Sequence, residues 1–238
     1  MVNFRLALTR RDFRSALPNF LWLTDITEFR LPSGRKVYLS AIRDCFDSSV
    51  VAWRAGERPD AALANSTLED ACALLAPGER PVIHSDRGGH YRWPGWISIC
   101  EGHGLARSMS AKGCSPDNAA MEGFFGLLKR EFWHGRDWSG WTPARFIEEL
   151  GGWIGRYNTE RRSDALGGRT PAEFRAALWS GKDKLDFLLR ILWSGWSGKD
   201  KLDFLLRILK RIAARIPLET CSPGWNACAP YCNRALCT

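Results

Sequence analysis

The sequence contains no run of 18 or more apolar residues, and its first 20 residues alternate charged and apolar side chains without the apolar centre of a signal peptide. The first absence argues against a membrane span, and the second argues against secretion. At 238 residues the chain is long enough to form one ample hydrophobic core, or one domain with an appendage. We therefore expect a soluble, cytoplasmic protein built around one principal domain.

The eight cysteines include no Cys-x-x-Cys pair, which is the spacing that structural zinc sites usually require. Four cysteines crowd the last 18 residues, in a segment rich in Cys, Pro and Asn to which we assign no function. The other four are scattered singly, and we interpret them as small buried residues: Cys45, Cys72, Cys100 and Cys114.

The sequence has fewer acidic than basic side chains. It contains 26 Asp and Glu and 34 Lys and Arg, which gives a formal net charge of +8. A positively charged protein attracts polyanions, and nucleic acid is the first candidate partner. Charge alone does not decide the matter, since many basic proteins bind no nucleic acid. We interpret the 12 tryptophans mainly as packing residues, with base stacking as the less favoured alternative.

The pattern of apolar and turn-forming residues predicts an α/β fold, a mixed sheet covered by helices. Three segments rich in β-branched and aromatic residues, separated by short turns, predict an antiparallel meander. Helix-like and strand-like segments then alternate, as they do in α/β folds. The predicted strands cover residues 20–29, 36–44, 48–55, 80–86 and 105–110, and the predicted helices cover residues 60–75, 93–103, 114–132 and 142–158.

The chain changes character after Leu178, where the sequence WSGKDKLDFLLRIL occurs twice, at 179–192 and at 196–209. Each copy can form a short amphipathic helix, which we interpret as a packing appendage, with DNA or partner binding as the alternative. The predicted organisation is a lead-in segment, a main domain, a duplicated helical segment and an irregular tail, over residues 1–19, 20–178, 179–216 and 217–238.

Three carboxylates stand where ordinary packing does not require them. Asp25 interrupts the first strand, Asp86 ends the fourth before a Gly-Gly turn, and Glu122 lies at the edge of an apolar helical face. Clustered carboxylates repel one another unless they bind protons or cations, and their oxygens suit Mg²⁺ or Mn²⁺. Two such ions can promote an in-line displacement at phosphorus. The alternative makes each acid a turn former or a solvated side chain, as we infer for Asp44 and Asp47.

Five segments resemble, in order, the catalytic core of insertion-sequence transposases of the orfB, integrase-like kind: WLTDITEF, YLSAIRD, HSDRGGHY, SMSAKGCSPDNAAMEGFFGLLKREF and YNTERRSDALGGRTPAEF. The resemblance covers residues 13–177 and implies a ribonuclease H-like fold. It also implies a triad of two Asp and one Glu, with 35 residues between the second and the third acid. Asp86 and Glu122 have 35 residues between them, and Asp25 stands in the Trp-x-Thr-Asp context of the first acid.

By this resemblance, residues 20–178 form an integrase-like catalytic core that cleaves and joins DNA strands. Asp25, Asp86 and Glu122 would then be catalytic residues that hold two Mg²⁺ or Mn²⁺ ions. Lys129 lies seven positions after Glu122, where related enzymes hold DNA near the site. For Lys129 we favour this role over that of a solvated lysine. Three further residues are candidates for DNA contact: Asn118, Arg161 and Arg162. The alternatives are bracing of the Glu122 carboxylate or a helix start for Asn118, and a solvated turn for the two arginines.

Members of this family usually carry upstream helices that recognise the ends of the mobile element, whereas only residues 1–19 precede the first predicted strand. A separate end-recognition protein as a partner, a longer frameshifted product or loss of function would each account for this. The other expected partners are transposon-end and target DNA. The family also implies a homo-oligomer on paired DNA ends and a nucleoid-associated place in a bacterial cytoplasm. Two alternatives stay open: a nuclease of the same fold, and a truncated, inactive remnant that only binds DNA non-specifically.

Overall fold

In the computed structural model of the chain, residues 15, 17–110 and 118–177 are described. Within these residues the elements follow the order βββαβαβααα. The strands are β1 (Leu21–Arg30), β2 (Lys36–Asp44), β3 (Val50–Gly56), β4 (Val82–Ser85) and β5 (Ala106–Met109). The helices are α1 (Ala61–Ala73), α2 (Pro94–Gly102), α3 (Ala119–Leu128), α4 (Pro143–Thr159) and α5 (Pro171–Ala177).

The five strands form one mixed sheet in the order β3-β2-β1-β4-β5. β2 pairs antiparallel with both β1 and β3, whereas β4 pairs parallel with both β1 and β5. The predicted meander and the α/β architecture are therefore confirmed. Pairing between β1 and β4 stops at Thr24 and Ser85, although β1 continues to Arg30. From Asp25 onward, β1 consequently extends beyond the end of β4.

Different helices bury the two faces of the sheet. Side chains alternate between the faces of a strand, so Leu23 and Phe29 of β1 join one core while Trp22 joins the other. This period of two places Asp25 on the same face as Leu23. That face is covered by α3 and α4, with a core that includes Val37, Leu39, Met121, Phe124, Leu128, Phe146 and Leu150. The opposite face is covered by α1 and α2, with Ile42, Leu68, Ile83 and Trp96.

Capping residues explain where two of the helices begin. The Asp60 carboxylate accepts the Leu63 backbone N–H at 3.0 Å before α1, and the Thr142 hydroxyl accepts the Arg145 N–H at 3.3 Å before α4. Pro143 occupies the first turn of α4, where its missing N–H is not needed. Both predicted helix starts are correct to within one residue.

Helix α3 is shorter than the predicted helix over 114–132. It ends at Leu128, and the backbone continues as a π-helical turn over Lys129–Trp133. Phe132 remains fully buried in that turn, so the apolar face continues although the α-helix has ended. Asn118 stands at the N-cap without a side-chain capping bond, and residues 111–117 before it lie outside the described residues.

A buried ion-pair cluster holds the turn between β2 and β3. Arg175 of α5, a helix that the sequence pattern did not predict, donates to Asp44 Oδ2 at 2.7 Å and also bonds to Asp47. Both carboxylates are buried. They also accept turn N–H groups, from Phe46 to Asp44 and from Ser49 to Asp47, each at 2.9 Å. The interpretation of these acids as turn residues was therefore incomplete, since they also form a long-range ion pair.

Gly151 and Gly155 of α4 have different surroundings. Substituting each of them by alanine therefore tests how tightly α4 packs against β3. A Cβ on Gly151 would lie 2.9 Å from the Trp53 ring, whereas a Cβ on Gly155 would meet nothing within 4 Å. We expect Gly151→Ala to lower the free energy of unfolding by about 1–3 kcal/mol through overpacking. Gly155→Ala should raise it by about 0.5–1 kcal/mol through helix propensity. Urea unfolding checks both, and effects of the same sign would contradict this packing.

The described residues include no helix that is long and apolar enough to cross a membrane. Among the described residues, three cysteines have free thiols, of which Cys72 and Cys100 are buried and Cys45 is partly buried. The prediction of buried single cysteines is thus confirmed for two of them. Cys114, the C-terminal cysteines, the duplicated segment over 179–216 and the tail over 217–238 lie outside the described residues.

Candidate active site

Asp25 and Asp86 lie side by side where β4 ends next to β1. Each follows one member of the last residue pair between the two parallel strands, Thr24 and Ser85. The Ile26 backbone N–H donates to Asp25 Oδ1 at 2.8 Å, and the Gly88 N–H donates to Asp86 Oδ1 at 2.8 Å. The local backbone therefore orients both carboxylates at the same edge of the sheet.

Gly88 is required for this close approach of backbone to carboxylate. A Cβ at this position would lie 2.9 Å from Asp86 Oδ1 and 3.5 Å from the Tyr91 ring. The Gly-Gly turn that the sequence places after Asp86 therefore leaves space for the carboxylate. It also leads into a 3₁₀ turn over Gly89–Arg92, which carries Tyr91 back against the site.

Glu122 lies in the first turn of α3, on the side of the helix that is exposed. The buried side of the same helix, with Met121 and Phe124, packs on the sheet face that carries Asp25. Asp25 interacts electrostatically with both Asp86 and Glu122. The structure thus brings Asp86 and Glu122, from two elements that are distant along the chain, within electrostatic range of Asp25.

Burial raises the pKa of Asp25 to about 6, and repulsion from Asp86 and Glu122 adds to this rise. The Ile26 N–H bond opposes the shift by stabilising the charged form. A raised pKa means that the surroundings of the carboxylate do not stabilise its negative charge as well as water does. Within the described residues, no Lys or Arg is paired with any of the three acids, so the cluster carries excess negative charge.

The raised pKa of Asp25 predicts how stability depends on pH. Because the folded protein holds this proton more tightly than the unfolded chain, the free energy of unfolding should fall as pH rises from about 4 to about 6. The contribution of Asp25 is about 1–3 kcal/mol. Asp25→Asn should therefore show a shallower slope in chelator, by urea unfolding at pH 4, 5, 6 and 7. Parallel slopes for the two proteins would contradict the raised pKa of Asp25.

The two aspartates line an open cleft of about 240 Å³ together with Gly88, His90 and Tyr91. Tyr91 is 2% exposed, and its hydroxyl has no hydrogen-bond partner of good geometry among the described residues. Burial and the nearby charges of Asp25 and Asp86 raise the pKa of this phenol. An interaction with the Thr24 side chain opposes this shift.

The chemistry of the donor set fits a hard divalent cation. Asp25, Asp86 and Glu122 offer carboxylate oxygens, which are the donors that Mg²⁺ and Mn²⁺ prefer. A cation would also offset the repulsion that raises the pKa of Asp25. Nowhere in the described part of the chain do three Asp, Glu, His or Cys side chains already stand close enough together to enclose an ion. The acids are therefore grouped by the fold but are not held in ligating positions.

Comparison with known proteins identifies the family of the chain. Two families described as integrase core domains match residues 15–115 and 103–171. A probable transposase of insertion sequence IS1353 from Shigella flexneri is 54% identical over 171 residues, 72% of this chain and 33% of that protein. A transposase-like protein from Haemophilus influenzae is 37% identical over 168 residues, which are 71% of this chain and 76% of that protein. The chain belongs to the insertion-sequence transposase family.

Further comparisons define the fold and extent of this transposase chain. The putative transposase InsK of IS150 from Escherichia coli is 40% identical over 70% of this chain, and the chain spans 58% of InsK. The chain thus spans between a third and three fifths of the IS1353 and InsK proteins.

Solved structures with the same fold include a simian T-cell lymphotropic virus intasome with the PP2A regulatory subunit B56 gamma. It has a TM-score of 0.56 at 21% identity, over 68% of this chain and 56% of that one. The HTLV-2 integrase catalytic core with magnesium has a TM-score of 0.52 at 18% identity, over 68% and 99%. The expected ribonuclease H-like fold of the transposase chain is confirmed.

The residues predicted to contact DNA have other partners in the structure. Lys129 opens the π-helical turn, and its ammonium lies 6.0 Å from the centroid of the Phe29 ring. Arg161 donates to Glu131 at 2.8 Å, and Arg162 donates to Glu173 at 3.2 Å. These are partly or largely exposed pairs, which contribute little to stability. Their DNA-binding roles remain predictions, as does that of Asn118, which is buried with an unpaired amide oxygen among the described residues.

Sequence reasoning assigned no role to two residues that lie at or near the candidate site, Tyr91 and Arg43. Tyr91 belongs to the segment HSDRGGHY, and the signal that could have found it is an aromatic residue directly after the turn that follows Asp86. Arg43 lies in β2 and contacts the helix that carries Glu122. The sequence feature that could have identified Arg43 is a charged side chain within a predicted strand, because such a side chain needs a polar partner when it faces a core.

Proposed function

We propose that this chain carries the catalytic core of DNA transposition and performs metal-dependent cleavage and transfer of DNA strands. The observation that supports this most is the approach of Asp86 and Glu122 to Asp25 beside the end of β4, where burial and repulsion raise the pKa of Asp25. A cluster of like charges is unfavourable by itself and favours a cation. The membership of the transposase family supports the same reaction.

Each part of the site has a task in this proposal. Asp25, Asp86 and Glu122 would hold two Mg²⁺ or Mn²⁺ ions. When bound, such ions activate the attacking oxygen and stabilise the leaving oxygen of an in-line displacement at a phosphodiester. The Ile26 and Gly88 backbone N–H groups orient the two aspartates for binding. The magnesium named for the HTLV-2 integrase core supports this choice of cofactor.

The positive charge of the chain supports DNA as the substrate. A net charge of +8 attracts the phosphate backbone irrespective of sequence. We propose that Lys129, Asn118, Arg161 and Arg162 contact DNA beside the acids. Arg161 and Arg162 would exchange their exposed carboxylate partners for phosphates. This exchange costs little free energy, because exposed ion pairs are weak.

The assembly and location follow from the relatives. We propose a homo-oligomer that acts on transposon ends and target DNA, supported by the dimeric and trimeric forms of the HTLV-2 integrase core and by the viral intasome. A separate end-recognition protein is a further proposed partner. The bacterial insertion-sequence relatives support a cytoplasmic, nucleoid-associated protein.

A strand-joining assay tests the proposed function. Purified chain receives a pre-cleaved transposon end and a target duplex in Mn²⁺ or Mg²⁺, with an Asp86→Asn variant and a chelated reaction as controls. We expect joined product that requires the metal and disappears in the variant. Cleavage without joining would show a nuclease instead. No product, where a full-length transposase of the family joins the same DNA, would overturn the proposal in favour of an inactive remnant.

A further inference from the structure

The Arg43 side chain of β2 donates hydrogen bonds to three different segments of the described part of the chain. Its Nη1 donates to the Ala120 carbonyl at 2.8 Å, and its Nη2 donates to the Tyr157 hydroxyl at 3.3 Å. Its Nε donates to the Ser48 carbonyl at 3.2 Å. The guanidinium also lies 4.7 Å from the centroid of the Phe124 ring. One side chain thus joins β2, the following turn, α3 and α4.

The contact with Ala120 connects the two halves of the proposed metal site. Ala120 is in the first turn of α3, two residues before Glu122. In the antiparallel pairing of β2 with β1, Arg43 lies opposite Leu23. Ala41, two residues earlier on the same face of β2, lies opposite Asp25. Arg43 therefore bridges the strands that hold Asp25 and the helical turn that holds Glu122. No other side-chain hydrogen bond to the backbone of α3 occurs within the described residues.

The turn between β2 and β3 holds the guanidinium in place. The Ser48 carbonyl accepts from Arg43 and also from the Tyr157 hydroxyl, at 3.0 Å. Ser48 adopts φ of 64°, a conformation that is uncommon outside glycine. Such a residue persists where its surroundings fix it. The planar guanidinium is thus held at three points, which a single ammonium group cannot reproduce.

We propose that Arg43 is a positioning residue that sets the place of Glu122 relative to Asp25 and Asp86, and thereby the affinity of the site for divalent cations. The proposal rests on the metal role proposed above for the three acids. Arg43 itself touches none of them. It acts through the first turn of α3, where it donates to the Ala120 carbonyl two residues before Glu122.

The decisive variants are Arg43→Met, which keeps the apolar length, and Arg43→Lys, which keeps the charge. Asn158→Ala is the matched control, because Asn158 makes two 2.9 Å bonds between α4 and β3 and none to α3. Two readouts are taken: the Mn²⁺ concentration that half-saturates strand joining, and the Mn²⁺ concentration needed for a given rise in melting temperature without DNA.

We expect Arg43→Met to raise both Mn²⁺ concentrations by about 10–100-fold, as losses of residues that orient metal ligands do. Arg43→Lys should recover only part of this loss, and Asn158→Ala should lower the melting temperature without changing either concentration. Equal Mn²⁺ dependence in Arg43→Met and Asn158→Ala would overturn the proposal. A wild-type chain that neither binds Mn²⁺ nor joins DNA would instead overturn the proposed function.

Tyr157→Phe provides a second variant if Arg43→Met fails to fold. It removes only the hydroxyl that bonds to Arg43 and to Ser48, and keeps the ring that packs on Phe124. We expect a several-fold rise in the Mn²⁺ concentration needed for the thermal shift. An unchanged Mn²⁺ dependence in a folded Tyr157→Phe protein would also contradict the positioning role.

Discussion

Glu122→Gln is expected to reduce strand joining at least about 100-fold while leaving the folded protein as stable as before. The loss follows because a divalent cation contributes several kcal/mol of charge stabilisation in the transition state, and a neutral amide is a poor ligand for it. Stability is maintained because Glu122 is exposed and repels Asp25. Joining is measured in Mn²⁺ and Mg²⁺, and unfolding is measured in chelator.

The matched control for this variant is Glu148→Gln, which changes an exposed glutamate of α4 on a different part of the surface. It should join DNA at the wild-type rate. Mn²⁺ should raise the melting temperature of the wild type and of Glu148→Gln but not of Glu122→Gln, since a ligand stabilises only the protein that binds it. Equal joining by Glu122→Gln and the wild type would show that the acid has no metal role.

Arg175→Met is expected to lower the free energy of unfolding by about 3–5 kcal/mol, because it leaves Asp44 and Asp47 buried without a counter-charge. Burial already raises the pKa of Asp44 to about 6 in the presence of Arg175, which opposes the shift. Without the guanidinium the pKa of Asp44 should rise further. The folded variant then holds its protons more tightly than the unfolded chain does, so its loss of stability should be larger at pH 8 than at pH 5.

Arg162→Met is the control for Arg175→Met, because it breaks an ion pair that is exposed rather than buried. The Arg162–Glu173 pair should contribute less than about 1 kcal/mol. Adding Asp47→Asn to Arg175→Met should restore part of the lost stability by removing one buried charge. Urea unfolding at both pH values measures all four proteins. A loss of the same size in Arg162→Met and Arg175→Met would show that burial of the acids is not the cause.

Strong local patterns allowed most of the fold to be predicted. β2 was predicted at 36–44 and lies at Lys36–Asp44, because alternating side chains and a Pro-Ser-Gly turn fix both its period and its start. The end of α3 was predicted wrongly for a physical reason. The π-helical turn keeps Phe132 in the core, so hydrophobic periodicity cannot separate it from a continuing α-helix.

The sequence alone identified the site residues whose place in a strand, or whose spacing along the chain, is unusual. Asp25 and Asp86 stand at a strand interior and a strand end, and the spacing to Glu122 matches that of a known family. The contacts of Arg43 and Arg175 were not accessible. Arg43 reaches Ala120 across 77 positions, and Arg175 reaches Asp44 across 131. Such pairs form only when distant elements pack, and no local pattern encodes them.

Iron-directed cleavage of the protein backbone tests most directly whether Asp25, Asp86 and Glu122 form one metal site. Fe²⁺ replaces Mg²⁺, and added ascorbate and peroxide generate radicals that cut the chain close to the bound ion. We expect cuts clustered beside residues 25, 86 and 122 that Mg²⁺ suppresses and that Asp25→Asn/Asp86→Asn/Glu122→Gln abolishes. Cuts confined to other parts of the chain, or cuts at these positions that persist in the triple variant, would contradict the metal site and the transposase mechanism that rests on it.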